Sequence, residues 1–183
     1  MKNQIVIFLL AMAIGTVNAQ NIYTTKTGMA SFLSKTPIRD IYGKNDKVGV
    51  VLNTSTNEMV FVVSIKNFEF TDALMQEHFN ENYMESDKYP TANFNGQFNE
   101  KIDYSKDGIT NITATGKLKI HNIEKEVTEK GTLTVKDGKI ILHSEFTVEC
   151  KGYNIEIPKV VFDDIAKTIS VIIDAPLALH VKK

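Results

Sequence analysis

The chain has 183 residues with 21 basic and 22 acidic side chains, a formal net charge of −1. That length suits one domain with its own core, and the near-balance of charge argues against a nucleic-acid partner, which calls for a basic face or stripe. The single cysteine, Cys150, excludes an intramolecular disulfide, so stability must come from packing.

The N-terminus reads as an export signal. Lys2 gives a short basic start, an apolar run extends from Ile5 to Val17, and Val17-Asn18-Ala19 supplies the small residue of a cleavage end. The run falls short of the about 20 apolar residues of a membrane span, and Gln20 rather than a lipid-attachment cysteine follows it. The expectation is a signal peptide at 1–19, one domain at 20–183 with no transmembrane segment, and a mature protein in the periplasm or outside the cell.

Strands are predicted in chain order at Ile22–Lys26, Gly28–Lys35, Lys47–Asn53, Met59–Lys66, Ala92–Tyr104, Ile109–Ile120, Gly131–Lys136, Ile140–Cys150, Asn154–Ile157 and Thr168–Ile173, with a last one near Leu177–Val181. Ile140–Cys150 is the clearest. Ile140, Leu142, Ser144, Phe146, Val148 and Cys150 alternate with Ile141, His143, Glu145, Thr147 and Glu149, so one face is buried and the other wet. Asp137-Gly138 and Asp107-Gly108 between alternating segments signal tight hairpins, because both residue types tolerate positive φ. Asn122 after His121 offers a further turn.

One stretch departs from this period. From Ala73 to Met84 the apolar positions recur at spacings of one, three and four behind Asp72, a candidate N-cap, which predicts a short amphipathic helix. Pro90 disfavours helical geometry at Tyr89, so the chain returns to a strand by Thr91. Many short strands joined by turn residues read as a sandwich or a barrel. Closure removes exposed edges, so an all-β antiparallel barrel with the helical insert across one end is the preferred reading.

Little in the chain points to catalysis. No Gly-x-Ser-x-Gly elbow, phosphate loop or dinucleotide fingerprint occurs, and Cys150 falls on the apolar face of its strand as a small buried hydrophobe. His78, His121, His143 and His180 lie on separate elements; His78 and Glu81 share a helix face, a weak metal pair beside a packing role. His121 reads as a turn-capping or solvated residue and His143 as solvent-facing. No catalytic residue, cofactor or metal is assigned. The phenylalanines Phe61, Phe68, Phe70, Phe79, Phe94, Phe98, Phe146 and Phe162 stand out. An eight-stranded barrel is at the size where such side chains either fill the interior or leave room for one small ligand.

The segment from Leu74 to Pro90, followed by Ala92-Asn93-Phe94 and Gly96, resembles the helix-to-strand signature of the YceI-like family. Gly116-Lys117-Leu118-Lys119-Ile120-His121-Asn122-Ile123-Glu124-Lys125 is similar to that family's Gly-x-Leu-x-Ile-His-Gly-Val-x-Lys pattern, with Asn122 where the pattern has glycine. Asparagine tolerates left-handed geometry, so the turn stays credible. Gly152-Tyr153-Asn154-Ile155-Glu156-Ile157-Pro158 also resembles the family's late segment.

The resemblance implies an exported bacterial protein with a lipocalin-like barrel that, in some members, holds a long isoprenoid or fatty-acyl chain. The family supplies no short catalytic motif, so site residues follow from strand faces. The lumen should receive Phe61, Val63 and Ile65, then Phe94 and Phe98, Leu118 and Ile120, Leu142, Phe146 and Val148, and Val171 and Ile173. Phe70, Leu74, Met75 and Phe79 would close one end, and Glu77, His78, Lys88 and Tyr89 are the polar candidates for its mouth. The expected partner is a lipophilic small molecule, with homodimerisation left open. The alternative is a filled barrel acting through its outer surface as a stress-related envelope interaction module.

Overall fold

Alternating apolar residues make eight antiparallel strands: β1 (Ile22–Lys35), β2 (Asp40–Asn53), β3 (Glu58–Ser64), β4 (Thr91–Phe98), β5 (Gly108–Ile120), β6 (Ile123–Lys136), β7 (Lys139–Glu149) and β8 (Thr168–Leu179). Each pairs with its sequence neighbour and β8 returns to β1, closing an up-and-down barrel. The computed structural model describes residues 21–157 and 165–181. The signal-peptide reading at 1–19 and Phe162 lie outside the described residues.

Two expected hairpins are tight. His121-Asn122, with φ of 48° and 62°, joins β5 to β6, and Asp137-Gly138, with φ of 51° and 72°, joins β6 to β7. Positive φ at both central residues is the hairpin geometry that matches strand twist. Asp107-Gly108 is a correction. β4 ends at Phe98, and the connection to Gly108 is a loop pinned to the barrel: Asn57 Nδ2 donates to the Glu100 carbonyl at 3.0 Å, the Tyr104 hydroxyl to Asn57 Oδ1 at 2.7 Å, and the Thr113 N–H to the Glu100 carboxylate at 2.8 Å. The last of these meets β5 at the first residue beyond its pairing with β4.

Other boundaries also move. The pairs Ile22–Lys26 with Gly28–Lys35, and Thr168–Ile173 with the segment near Leu177, are single strands with register shifts, since a bulge interrupts the pattern without breaking the ladder. Asn154–Ile157 is not a strand: a 3₁₀ turn, Cys150–Tyr153, ends with Asn154 at φ 55°. β2 starts seven residues before the expected Lys47, because Lys44-Asn45-Asp46-Lys47 is a bulge rather than a turn. There Asn45, fully buried, accepts from the Lys47 N–H at 2.8 Å and donates to the Ser64 carbonyl at 2.9 Å, tying β2 to β3 beyond their last paired residues.

The insert between β3 and β4 covers one end. Glu69 forms a two-bond bridge with Lys44 on β2 (3.1 and 2.7 Å). The helix follows as α1 (Ala73–His78), whose N-cap Asp72 accepts from the Leu74 and Met75 N–H groups, and it widens into a π turn, Phe79–Tyr83. Behind it Glu85 takes a left-handed φ of 42°, and its carboxylate meets His121 Nε2 at 2.9 Å, while His121 Nδ1 faces the Tyr153 carbonyl at 3.2 Å. His121 is thus a buried anchor between the insert, the β5–β6 turn and the segment after β7, rather than solvated. Its left-handed backbone ordinarily costs about 1–2 kcal/mol, which these contacts offset.

The barrel has two unlike halves. Away from the helix it is filled by a cluster including Val48, Val50, Leu52, Phe98, Leu133, Val135, Ile140 and Leu177. Towards the helix the inward residues are only half-buried, Phe61, Phe94, Leu118, Phe146 and Val171 among them.

Two measurements test this framework. Asn45→Ala removes the partner of the Lys47 N–H and the Ser64 carbonyl, so chemical denaturation should show a loss of about 1–3 kcal/mol. The hydrogen bond from His121 holds the Glu85 carboxyl below its ordinary 4.5, helped by Lys88. A depressed folded pKa contributes stability above the unfolded value, lost as pH falls through the folded one. The Tm advantage of the wild type over Glu85→Gln should be full above the ordinary carboxylate value of 4.5 and decline as pH falls below it.

Candidate functional site

The helix half of the barrel encloses a cavity of ≈ 190 Å³ with apolar walls. One water occupies about 10–15 Å³ of such space, so the void holds on the order of a dozen water-sized groups. β3 contributes Phe61 and Val63, β4 Ala92 and Phe94, β5 Ala114, Leu118 and Ile120, β7 Phe146 and Val148, and β8 Ile169, Val171 and Ile173; Ile65 follows from the turn after β3. Met59, Ile112 and Leu142 form the floor where the filled half begins.

Four phenylalanines close the helix end. Phe32 of β1 stacks on Phe79 at 5.4 Å between centroids, while Phe68 and Phe70 contact both rings at 5.0–5.8 Å. Tilted and offset rings at this spacing add to the area they bury. Behind this lid a smaller void of ≈ 70 Å³ lies between Phe70, Met75, Cys150 and Ile157.

The cavity wall therefore brings together Phe61, Val63, Ile65, Phe79, Phe94, Leu118, Ile120, Leu142, Phe146, Val148, Val171 and Ile173 from the sequence-derived set. Phe70 and Met75 border only the smaller void. Phe98 and Leu74 are corrections. Phe98 does face inward, but it belongs to the filled half at 2% exposure, since alternation reports the face of a strand and not the level along the barrel. Leu74 is 58% exposed: it occupies the first turn of α1, on the outer side of a six-residue helix that turns Phe79 inward. Of the mouth candidates, the Tyr89 ring meets His121 at 4.4 Å, and Lys88 lies over Tyr89 at 4.9 Å and pairs with Glu85. Glu77 is exposed and His78 half-buried on α1, and neither borders the cavity.

The wall residues absent from the sequence-derived set include Phe32, Val127 and Glu129. Phe32 was hidden because β1 is apolar on both faces and bulged. Val127 and Glu129 come from the first half of β6, where Glu124, Lys125, Glu126, Glu129 and Lys130 mask the alternation. Glu129 is the one acidic side chain of the wall, and burial pushes its carboxyl above the usual carboxylate range. Burial also raises the Cys150 thiol, which makes one long contact to the Ala166 carbonyl at 3.8 Å, the setting of an unreactive cysteine. Among the described residues no three metal-ligating side chains converge.

The profile of the YceI-like domain family matches residues 23–177. No curated protein sequence gives a significant match. A solved polyisoprenoid binding domain from Saccharophagus degradans superposes with a TM-score of 0.75 at 11% identity, over 88% of this chain and 99% of that one. Burkholderia cenocepacia BcnA gives 0.69 at 14% identity, over 82% and 96%, and a Campylobacter jejuni YCEI protein 0.59 at 16%, over 76% and 85%. At such identities the likeness speaks for the fold, the closed antiparallel barrel with its helical insert. The family profile spans β1 to β8, and the chain belongs to the YceI-like family.

Proposed function

We propose that this protein binds and carries a long-chain lipophilic molecule, of isoprenoid or fatty-acyl type, in the helix half of its barrel, and that it does so after export. The observation that carries the reading is the apolar cavity of ≈ 190 Å³ behind a phenylalanine lid. A similar fold described as a polyisoprenoid binding domain supports it, as does the basic start and apolar run of the first 19 residues for export.

The physics is that of hydrocarbon transfer. At about 0.8 kcal/mol per buried methylene, a chain of about ten methylenes gains roughly 8 kcal/mol, from which ordering of the ligand is deducted. No polar network is required for affinity, so the walls can be apolar over most of their area.

Mature protein from Gln20 onward, purified natively from its host and extracted with organic solvent, should release a long-chain lipid in near-stoichiometric amount by mass spectrometry. An empty protein that also refuses added isoprenoid alcohols and fatty acids would refute the reading. Leu118→Trp, which projects an indole into the void, should reduce affinity for a fluorescent fatty-acyl probe by about tenfold or more while Tm holds or rises, because it fills space that is otherwise unpacked. A barrel that works only through its outer surface would keep its function in that variant.

A further inference from the structure

A closed barrel satisfies its backbone by pairing each strand on both sides, and in three long stretches this sheet does not, besides a shorter gap between β1 and β8. The first half of β2 lacks β3 as a partner and is bridged instead by Asn45 and Glu69. The first half of β5 lacks β4 and is covered by the loop carrying Glu100 and Tyr104. The third place is the seam between β6 and β7. Their ladder runs only from Lys136↔Lys139 to Gly131↔Ser144, leaving Ile123 to Lys130 of β6 without a β7 partner and Glu145 to Glu149 of β7 without a β6 partner.

The ladder ends in a defined fork. The Ser144 hydroxyl donates to the Lys130 carbonyl at 2.8 Å, replacing the next backbone bond, and Gly131 is tight enough against its neighbour that an added Cβ would lie 2.5 Å from the His143 carbonyl. Beyond the fork Val127 and Glu129 stand on one side and Phe146 and Val148 on the other, and all four border the cavity. So do Lys130 and His143, whose strand positions face outward, which places the cavity's edge at the outer wall here. At the far end the seam is bounded by Tyr153, with Lys125 over its ring at 4.9 Å.

The geometry points to the β6–β7 seam as the ligand's entrance, with the polar end of the bound chain left at its rim beside Glu129, so that neutral or cationic head groups are accepted and anionic ones rejected. The proposal rests on the lipid-binding reading of the cavity. Among the described residues the Tyr153 phenol feels the charge of Glu129, and it does not neutralise that charge. Along the unpaired stretches the other charges are Glu124, Lys125, Glu126 and Lys130 on β6 and Glu145 and Glu149 on β7, an acidic balance even with Glu124 paired to Lys117 at 3.0 Å. Lys125 is already engaged by Tyr153. An anionic head at that rim meets like charge in a partly desolvated setting, a device that excludes the wrong ligand rather than strengthening the right one.

Three amphiphiles with one C18 chain, oleyl alcohol, oleylamine and oleate, separate the outcomes at neutral pH. The wild type should bind the alcohol and the amine about tenfold more tightly than oleate, and Glu129→Gln should reduce that discrimination severalfold, while Glu81→Gln on the π turn leaves it unchanged. A diazirine next to the hydroxyl of the alcohol should form its adducts on Val127, Glu129, Phe146 or Val148. Equal affinity for the three heads, discrimination untouched by Glu129→Gln, or adducts confined to Met84 and Tyr89 would overturn the seam assignment while leaving the lipid reading standing. If none of the three binds the wild type, both fall.

Discussion

Every strand in a closed sheet must find hydrogen-bond partners on two sides, and the architecture of this protein follows from how it meets that demand where neighbouring strands part. The strands differ in length, from seven residues in β3 to fourteen in β1, β2 and β6, so some must overrun their neighbours. Overrun backbone left in an apolar interior costs about 1–3 kcal/mol per unpaired group. The fully buried Asn45, the Lys44–Glu69 bridge and the Glu100 carboxylate on Thr113 each answer this cost. At the β6–β7 fork a serine hydroxyl does so for one carbonyl, and the rest of the two edges stands beside the cavity.

The same unevenness divides the lumen. In the half where β6, β7 and β8 pair residue for residue, Leu133, Leu142 and Ala175 meet across the sheet and the space is filled. Towards the helix β6 and β7 part, the inward side chains line a void, and the insert closes the end of it. It does so with Phe68 and Phe79 against Phe32. The buried His121 fixes that insert in place through Glu85. A residue that reads as part of a turn thus sets the position of the cavity's end.

Much of the fold was legible because a strand's period of two is a property of the backbone: the faces of Ile140–Cys150 and both positive-φ hairpins follow from it. Bulges were not legible. Lys44-Asn45-Asp46-Lys47 has turn composition, and only the buried environment of Asn45 shows it to be an extended stretch. Asp107-Gly108 has hairpin composition, yet the loop before it is held by long-range bonds from Asn57 and Thr113 that local sequence does not encode. For the site, alternation identified inward faces but not height, which separates Phe98 from Phe94 on one strand. Glu129 escaped because a carboxylate on an inward face contradicts the rule by which inward faces are recognised.

The void has a thermodynamic consequence that links fold to function. At about 24 cal/mol per Å³, a cavity of ≈ 190 Å³ forgoes several kcal/mol of packing relative to a filled barrel, a large part of a domain's usual margin of about 5–15 kcal/mol. The filled half, with Val48, Leu52, Leu133 and Ala175 fully buried, carries stability that the other half lacks. A ligand that enters the void returns part of the forgone packing, and by linkage its affinity for the folded chain appears as added stability. The two halves are therefore coupled: the packing of one makes an apolar void tolerable in the other, and the fork at Gly131 and Ser144 is where the sheet passes from the first to the second.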